Sequence, residues 1–141
     1  MSLSFWNKKL LILQTLILIC CTCFANEPLF KKARTLQREG KHDEAIGAFK
    51  SYLAQPMDED EVTIQEVSMY TDALVQLMNT YQSKGEPEAC ISTLQEVYNT
   101  SSTLQGKCLR DYYSVMGYAL SRTEKMKEAE MTMMKALTLP L

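Results

Sequence analysis

A single histidine, His42, and no glycine-rich run are all that this 141-residue chain offers to the commonest catalytic devices. His42 opens a predicted helix just after Gly40, and no Cys or Asp stands at a spacing that would complete a nucleophilic set. It reads as a turn-packing or solvent-facing residue. The five glycines are scattered, which excludes a phosphate-cradling loop. Lys and Arg total 15 against 17 Asp and Glu, are dispersed, and leave a formal net charge of −2. With no basic stripe to neutralise phosphates, nucleic acid is excluded as a partner. Runs alternating apolar and polar residues are missing beyond Ala25, which excludes strands. What remains is 46% hydrophobic with few prolines, the profile of one modest folded domain.

The first 25 residues have a different texture. Lys8 and Lys9 precede an apolar run from Leu10 to Ile19, interrupted only by Gln14 and Thr15, and Cys23-Phe24-Ala25 follows. A charged start, a short apolar core and a small-x-small ending describe a secretory signal peptide, with cleavage expected after Ala25. The run is too short for a comfortable spanning helix, which needs roughly 20 residues. Cys20, Cys21 and Cys23 lack a second ligand pair for a metal site. Lipidation is the competing reading, although Leu18-Ile19 is bulkier than a lipidated cysteine usually tolerates before it. Removing this segment takes the net charge from −2 to −4 and leaves two cysteines, Cys90 and Cys108. They are expected either as buried hydrophobes or, in an oxidising compartment, as a pair.

From Asn26 onward the chain reads as six helices, over about 28–39, 42–54, 60–83, 87–98, 103–122 and 125–138. Gly40, Pro56, Gly85, the polar stretch "NTSST" and Pro140 punctuate them. Val67, Tyr70, Leu74, Leu77, Met78 and Tyr81 recur at steps of three and four, as do Leu109, Tyr113, Met116, Gly117 and Leu120. "MDEDE" at 57–61 lacks the spacing and glycine of a calcium loop and is read as acidic charge at a helix N-terminus.

The helices pair, and the pairs resemble one another. Ala45, Cys90 and Ala129 align, followed four residues later by Phe49, Leu94 and Met133, and then by Tyr52, Val97 and Ala136. Ala33, Met78 and Gly117 align in the preceding helices, each followed by Leu36, Tyr81 or Leu120. The intervals of 45 and 39 residues make an irregular repeat. "ARTLQREGKHDEAIGAFKSYLAQP" and "YSVMGYALSRTEKMKEAEMTMMKALTLP" resemble tetratricopeptide repeats, on the small residues of both helices, the large apolar residue and the closing Pro56 and Pro140. The middle unit matches less well, with Met78 at a small-residue position.

The resemblance implies an all-α, TPR-like right-handed superhelix of three helix-turn-helix repeats, at about 27–57, 60–99 and 103–141, after a signal segment at 1–25. It implies a non-catalytic scaffold or interaction module that binds a peptide or protein in a groove lined by the first helix of each pair. In that register the groove residues are Phe30, Arg34, Arg38, Asn79, Gln82, Tyr118 and Arg122. Asn79 resembles one element of the family's carboxylate clamp, but the accompanying lysines are missing. No metal or cofactor is implied. The chain is expected to be exported, to the periplasm, the cell envelope or the medium, touching membrane only through an uncleaved or lipidated signal segment. Met126, Met131, Met133 and Met134 spread around the final helix, which is expected to be covered by a partner or by self-association. The alternative reading is the periplasmic sensory front of a bacterial signalling protein, cut before its membrane helix.

Overall fold

The structure, a computed structural model, describes residues 26–57, 62–101 and 108–140. The signal segment with its cysteine cluster, the acidic residues 58–61 and the stretch 102–107 lie outside these. Six helices follow one another: α1 (Asn26–Arg38), α2 (His42–Leu53), α3 (Ile64–Lys84), α4 (Pro87–Thr100), α5 (Leu109–Ser121) and α6 (Met126–Thr138). Among the described residues there is no strand. The all-α helical-repeat reading holds.

Each odd helix turns back into the next even one. The first two turns share one device. Gly40 and Gly85 both take φ +74°, a left-handed conformation that glycine adopts without a Cβ clash. The Gly40 N–H donates to the Gln37 carbonyl and the Lys41 N–H to Leu36, at 3.1 and 3.0 Å. Gly85 and Glu86 repeat the pattern on Gln82 and Tyr81, at 3.0 and 3.1 Å. The third turn has no glycine. There Thr123 donates from both its N–H and its hydroxyl to the Leu120 carbonyl, at 3.0 and 2.7 Å.

Several helix starts and ends differ from the sequence reading, the first helix beginning at Asn26 rather than at Pro28. The third helix begins at Ile64, not near Asp60, because Thr63 caps it. The Thr63 hydroxyl accepts from the Glu66 N–H at 3.2 Å, while the Glu66 carboxylate accepts from the Thr63 N–H at 2.8 Å. The fourth helix runs through Asn99 to Thr100, where the Thr100 hydroxyl donates to the Glu96 carbonyl at 2.8 Å. The fifth begins, within the described residues, at Leu109, after Cys108.

The aligned small residues are where the helices touch. Ala33, Ala45, Cys90, Gly117 and Ala129 are all buried. A Cβ added at Gly117 would lie 2.6 Å from Met133 Cγ and 3.4 Å from the Ala129 carbonyl, so α5 and α6 meet backbone to backbone there. Around the crossings Tyr70, Phe49, Leu53, Leu74, Leu77 and Leu94 are completely enclosed, each contributing roughly 1.5–3 kcal/mol of burial. Stacking of hairpins makes this one continuous core, with α2 on α3 and α4 on α5. Met133, aligned with Phe49 and Leu94, departs from them and stays 38% exposed.

Cys90 and Cys108 are both buried and not bonded to each other. Burial pushes the Cys90 thiol up to about 12, which keeps it protonated and disfavours thiol redox chemistry. Tyr98, Tyr112 and Tyr113 form a cluster between α4 and α5 with ring centroids 5.3 to 6.3 Å apart. The Tyr112 hydroxyl donates to the Leu94 carbonyl at 2.9 Å.

Candidate functional site

The first helices of the three hairpins, α1, α3 and α5, lie side by side with α3 in the middle. Polar side chains lock their spacing. Gln37 of α1 donates to the Gln76 carbonyl and to the Thr80 hydroxyl of α3, at 3.2 and 3.0 Å. Thr71 of α3 donates to the Asp111 carboxylate of α5 at 2.7 Å. These bonds hold the face rigid across both junctions, which is what a preorganised binding surface requires.

Between α3 and α5 this face opens into a groove of about 690 Å³. Val67, Met69 and Val75 line it with apolar surface, Ile64 stands at its exposed rim, and two carboxylates, Asp72 and Asp111, border it. Asp72 accepts from the Gln76 amide at 3.0 Å. Each carboxylate thus spends part of its acceptor capacity on a neutral donor. A floor of hydrocarbon with two anions at its edge suits a cationic, partly apolar ligand.

The residues singled out from sequence are distributed more widely. Phe30 turns its ring to Phe49 and Tyr52, with centroids 6.2 and 5.4 Å away, and packs on the core. Arg34 is half-buried and donates to Gln37 at 3.0 Å, while Arg38 and Arg122 are exposed. Asn79 and Gln82 are half-buried, and the Gln82 Nε2 is a buried donor with no partner. Tyr118 is 45% exposed. None of the seven lines the α3–α5 groove. Asp72 and Asp111 do, and the repeat register carried the signal for them. Each stands six residues before the aligned position, Met78 or Gly117, and Glu27 occupies that place in α1.

His42 is half-buried, and its Nδ1 is buried without a partner. Among the described residues no group of three His, Cys, Asp or Glu could hold a metal ion. No described helix is long and apolar enough to cross a membrane.

The tetratricopeptide repeat family matches residues 111–140, the α5–α6 hairpin. No curated protein and no solved structure matches the chain. The third hairpin is therefore a tetratricopeptide repeat, in a chain whose other two hairpins share its architecture, and this repeat suggests a protein–protein interaction module.

Proposed function

We propose that the chain is an exported, non-catalytic interaction module that holds a protein or peptide on the face made by α1, α3 and α5. The observation that carries this reading is the α3–α5 groove, because it sits on the first helices of two hairpins, one of them the matched repeat. Its chemistry selects a segment with Lys or Arg beside an apolar residue. The cation meets Asp72 or Asp111, and the apolar side chain enters over Met69 and Val75. Arg34, Asn79, Gln82 and Tyr118 on the same three helices, with Arg122 just past the end of α5, would extend the contact to the flanking backbone. Export rests on the order of charge, apolar run and small-x-small ending in residues 1–25.

Peptide display against the chain tests the binding reading. Enriched peptides should carry basic residues next to apolar ones, and should lose about tenfold in affinity on the Asp72→Asn, Asp111→Asn double variant. Peptides without basic residues, or indifferent to that variant, would overturn it. For export, the intact mass of the chain recovered from the cell envelope should correspond to an N-terminus at Asn26.

A further inference from the structure

Charged side chains are arranged differently on the two sides of the solenoid. On the second helices and at the turns, opposite charges meet directly. Lys50 of α2 pairs with Glu96 of α4 at 2.8 Å, and Lys41 with Glu39 at 2.8 Å. Lys84 pairs with Asp43 and Glu86, at 2.6 and 3.0 Å. On the face made by the first helices, charges rest on neutral partners instead. The Arg34 guanidinium donates to the Gln37 side-chain oxygen at 3.0 Å. Asp72 accepts from the Gln76 amide at 3.0 Å, and Asp111 from the Thr71 hydroxyl at 2.7 Å.

The two glutamines act as a spacer. Gln37 donates to the Gln76 carbonyl at 3.2 Å, so a continuous run of contacts leads from Arg34 on α1 through Gln37 and Gln76 to Asp72 on α3. The buried Thr80 hydroxyl, which also accepts from the Gln37 amide at 3.0 Å, fixes that glutamine in place. A cation and an anion on adjacent helices are thereby held about one helix spacing apart, roughly 8–10 Å, and do not close on each other. Arg38 is exposed and stands four residues after Arg34, on the same side of α1. Arg110, beside Asp111, is turned away to the Leu139 carbonyl at the end of α6. The face is split by sign, cationic along α1 and anionic at the α3–α5 groove.

We infer, resting on the binding reading above, that the ligand is an extended segment of split charge. Its Lys or Arg meets Asp72 and Asp111, and an Asp or Glu about three residues away meets Arg34 and Arg38. Three extended residues span about 10 Å, which matches the separation that the glutamine spacer imposes. A wholly basic segment would set like charge against α1, and a wholly acidic one would set it against the groove. The spacer also keeps Asp72 from neutralising Arg34 itself, so the carboxylate for α1 comes with the ligand.

The test runs random-peptide display in parallel on the full chain and on its Arg34→Gln, Arg38→Gln double variant. Peptides enriched on the full chain should carry an acidic residue about two to four positions from the basic one, in either direction. On the double variant the basic and apolar preference should remain while the acidic preference disappears. Synthetic peptides from the first pool should lose about tenfold in affinity on that variant. A charge reversal separates recognition from a merely structural effect. Arg38→Glu changes an exposed side chain, so its circular dichroism should be unaltered. It should weaken the same peptides, and a Lys in place of their acidic residue should restore binding. The inference is overturned if neither arginine variant weakens binding, or if the Lys-bearing peptide does not recover on Arg38→Glu. Enriched peptides that are basic and apolar but lack the acidic residue overturn this inference alone. Peptides without basic residues, or an empty pool, overturn the binding reading with it.

Discussion

The side-chain amide of Gln37 in α1 reaches the hydroxyl of Thr80 in α3 at 3.0 Å, and that hydroxyl donates onward to the Gln76 carbonyl at 2.7 Å. Thr80 is completely buried, so the first two hairpins are joined by a polar link inside an apolar seam. Such a link fixes register because a shift of one helix by a turn would take the Gln37 amide away from both of its acceptors on α3.

Removing both members should therefore cost less than the sum of the two single removals. Thr80→Val and Gln37→Leu are each expected to destabilise by about 1–2 kcal/mol, with the double variant recovering part of that sum. Urea unfolding of the four chains gives the coupling directly. Strict additivity would show that the bond carries nothing.

Gly117 permits a graded test of the α5–α6 crossing. Gly117→Ala pushes only on Met133 Cγ, part of a flexible and partly exposed side chain. The gain in helix propensity of about 1 kcal/mol offsets that displacement, so the melting temperature should barely change. Gly117→Leu must displace the α6 backbone and is expected to cost about 1–3 kcal/mol. Ala129→Leu, across the same crossing, should behave alike.

Thr63→Ala removes the α3 cap while touching nothing in the core. A loss of about 0.5–2 kcal/mol is expected, and amide exchange should accelerate in the first turn of α3 while the rest of the helix keeps its protection. Uniform acceleration across all six helices would instead mean that α3 cannot fray independently.

Alkaline pH should unfold the chain through groups that burial keeps protonated. Burial raises Cys90 from an ordinary 9.0 to about 12, and Tyr52 and Tyr70 from 10.0 to about 12. For each, the unfolded chain loses its proton first, so stability is complete below the unfolded value and declines as pH rises toward the folded one. Denaturant midpoints should stay level up to about pH 9 and fall between about pH 9 and 12. Alkylation of Cys90 should be slow in the folded chain at neutral pH and rapid in urea.

The hairpins were readable because the determinants are local. Gly40 and Gly85 announce two turns, and the small residues at 33, 45, 117 and 129 mark crossings that the structure buries. The start of α3 was also readable, since Thr63 and Glu66 stand at capping-box spacing, but the neighbouring carboxylates drew the expected start upstream. The face of the solenoid was less legible. Which polar side chains meet across α1, α3 and α5 depends on contacts forty residues apart, as in Gln37–Thr80 and Thr71–Asp111. The groove residues taken from the repeat alignment do not include Asp72 and Asp111, which border the α3–α5 groove, and one of them, Phe30, turns its ring to Phe49 and Tyr52. Reading down the register, six before the aligned Met78 and Gly117, finds Asp72 and Asp111.

The tyrosine cluster between α4 and α5 has a practical side. The only tryptophan, Trp6, lies within residues 1–25, so a chain starting at Asn26 absorbs and emits in the near ultraviolet through tyrosine alone. Tyr98, Tyr112 and Tyr113 stand close enough to couple optically. Their circular dichroism then gives an intrinsic, label-free signal for separation of the second hairpin from the third, at a seam where no dye need be attached.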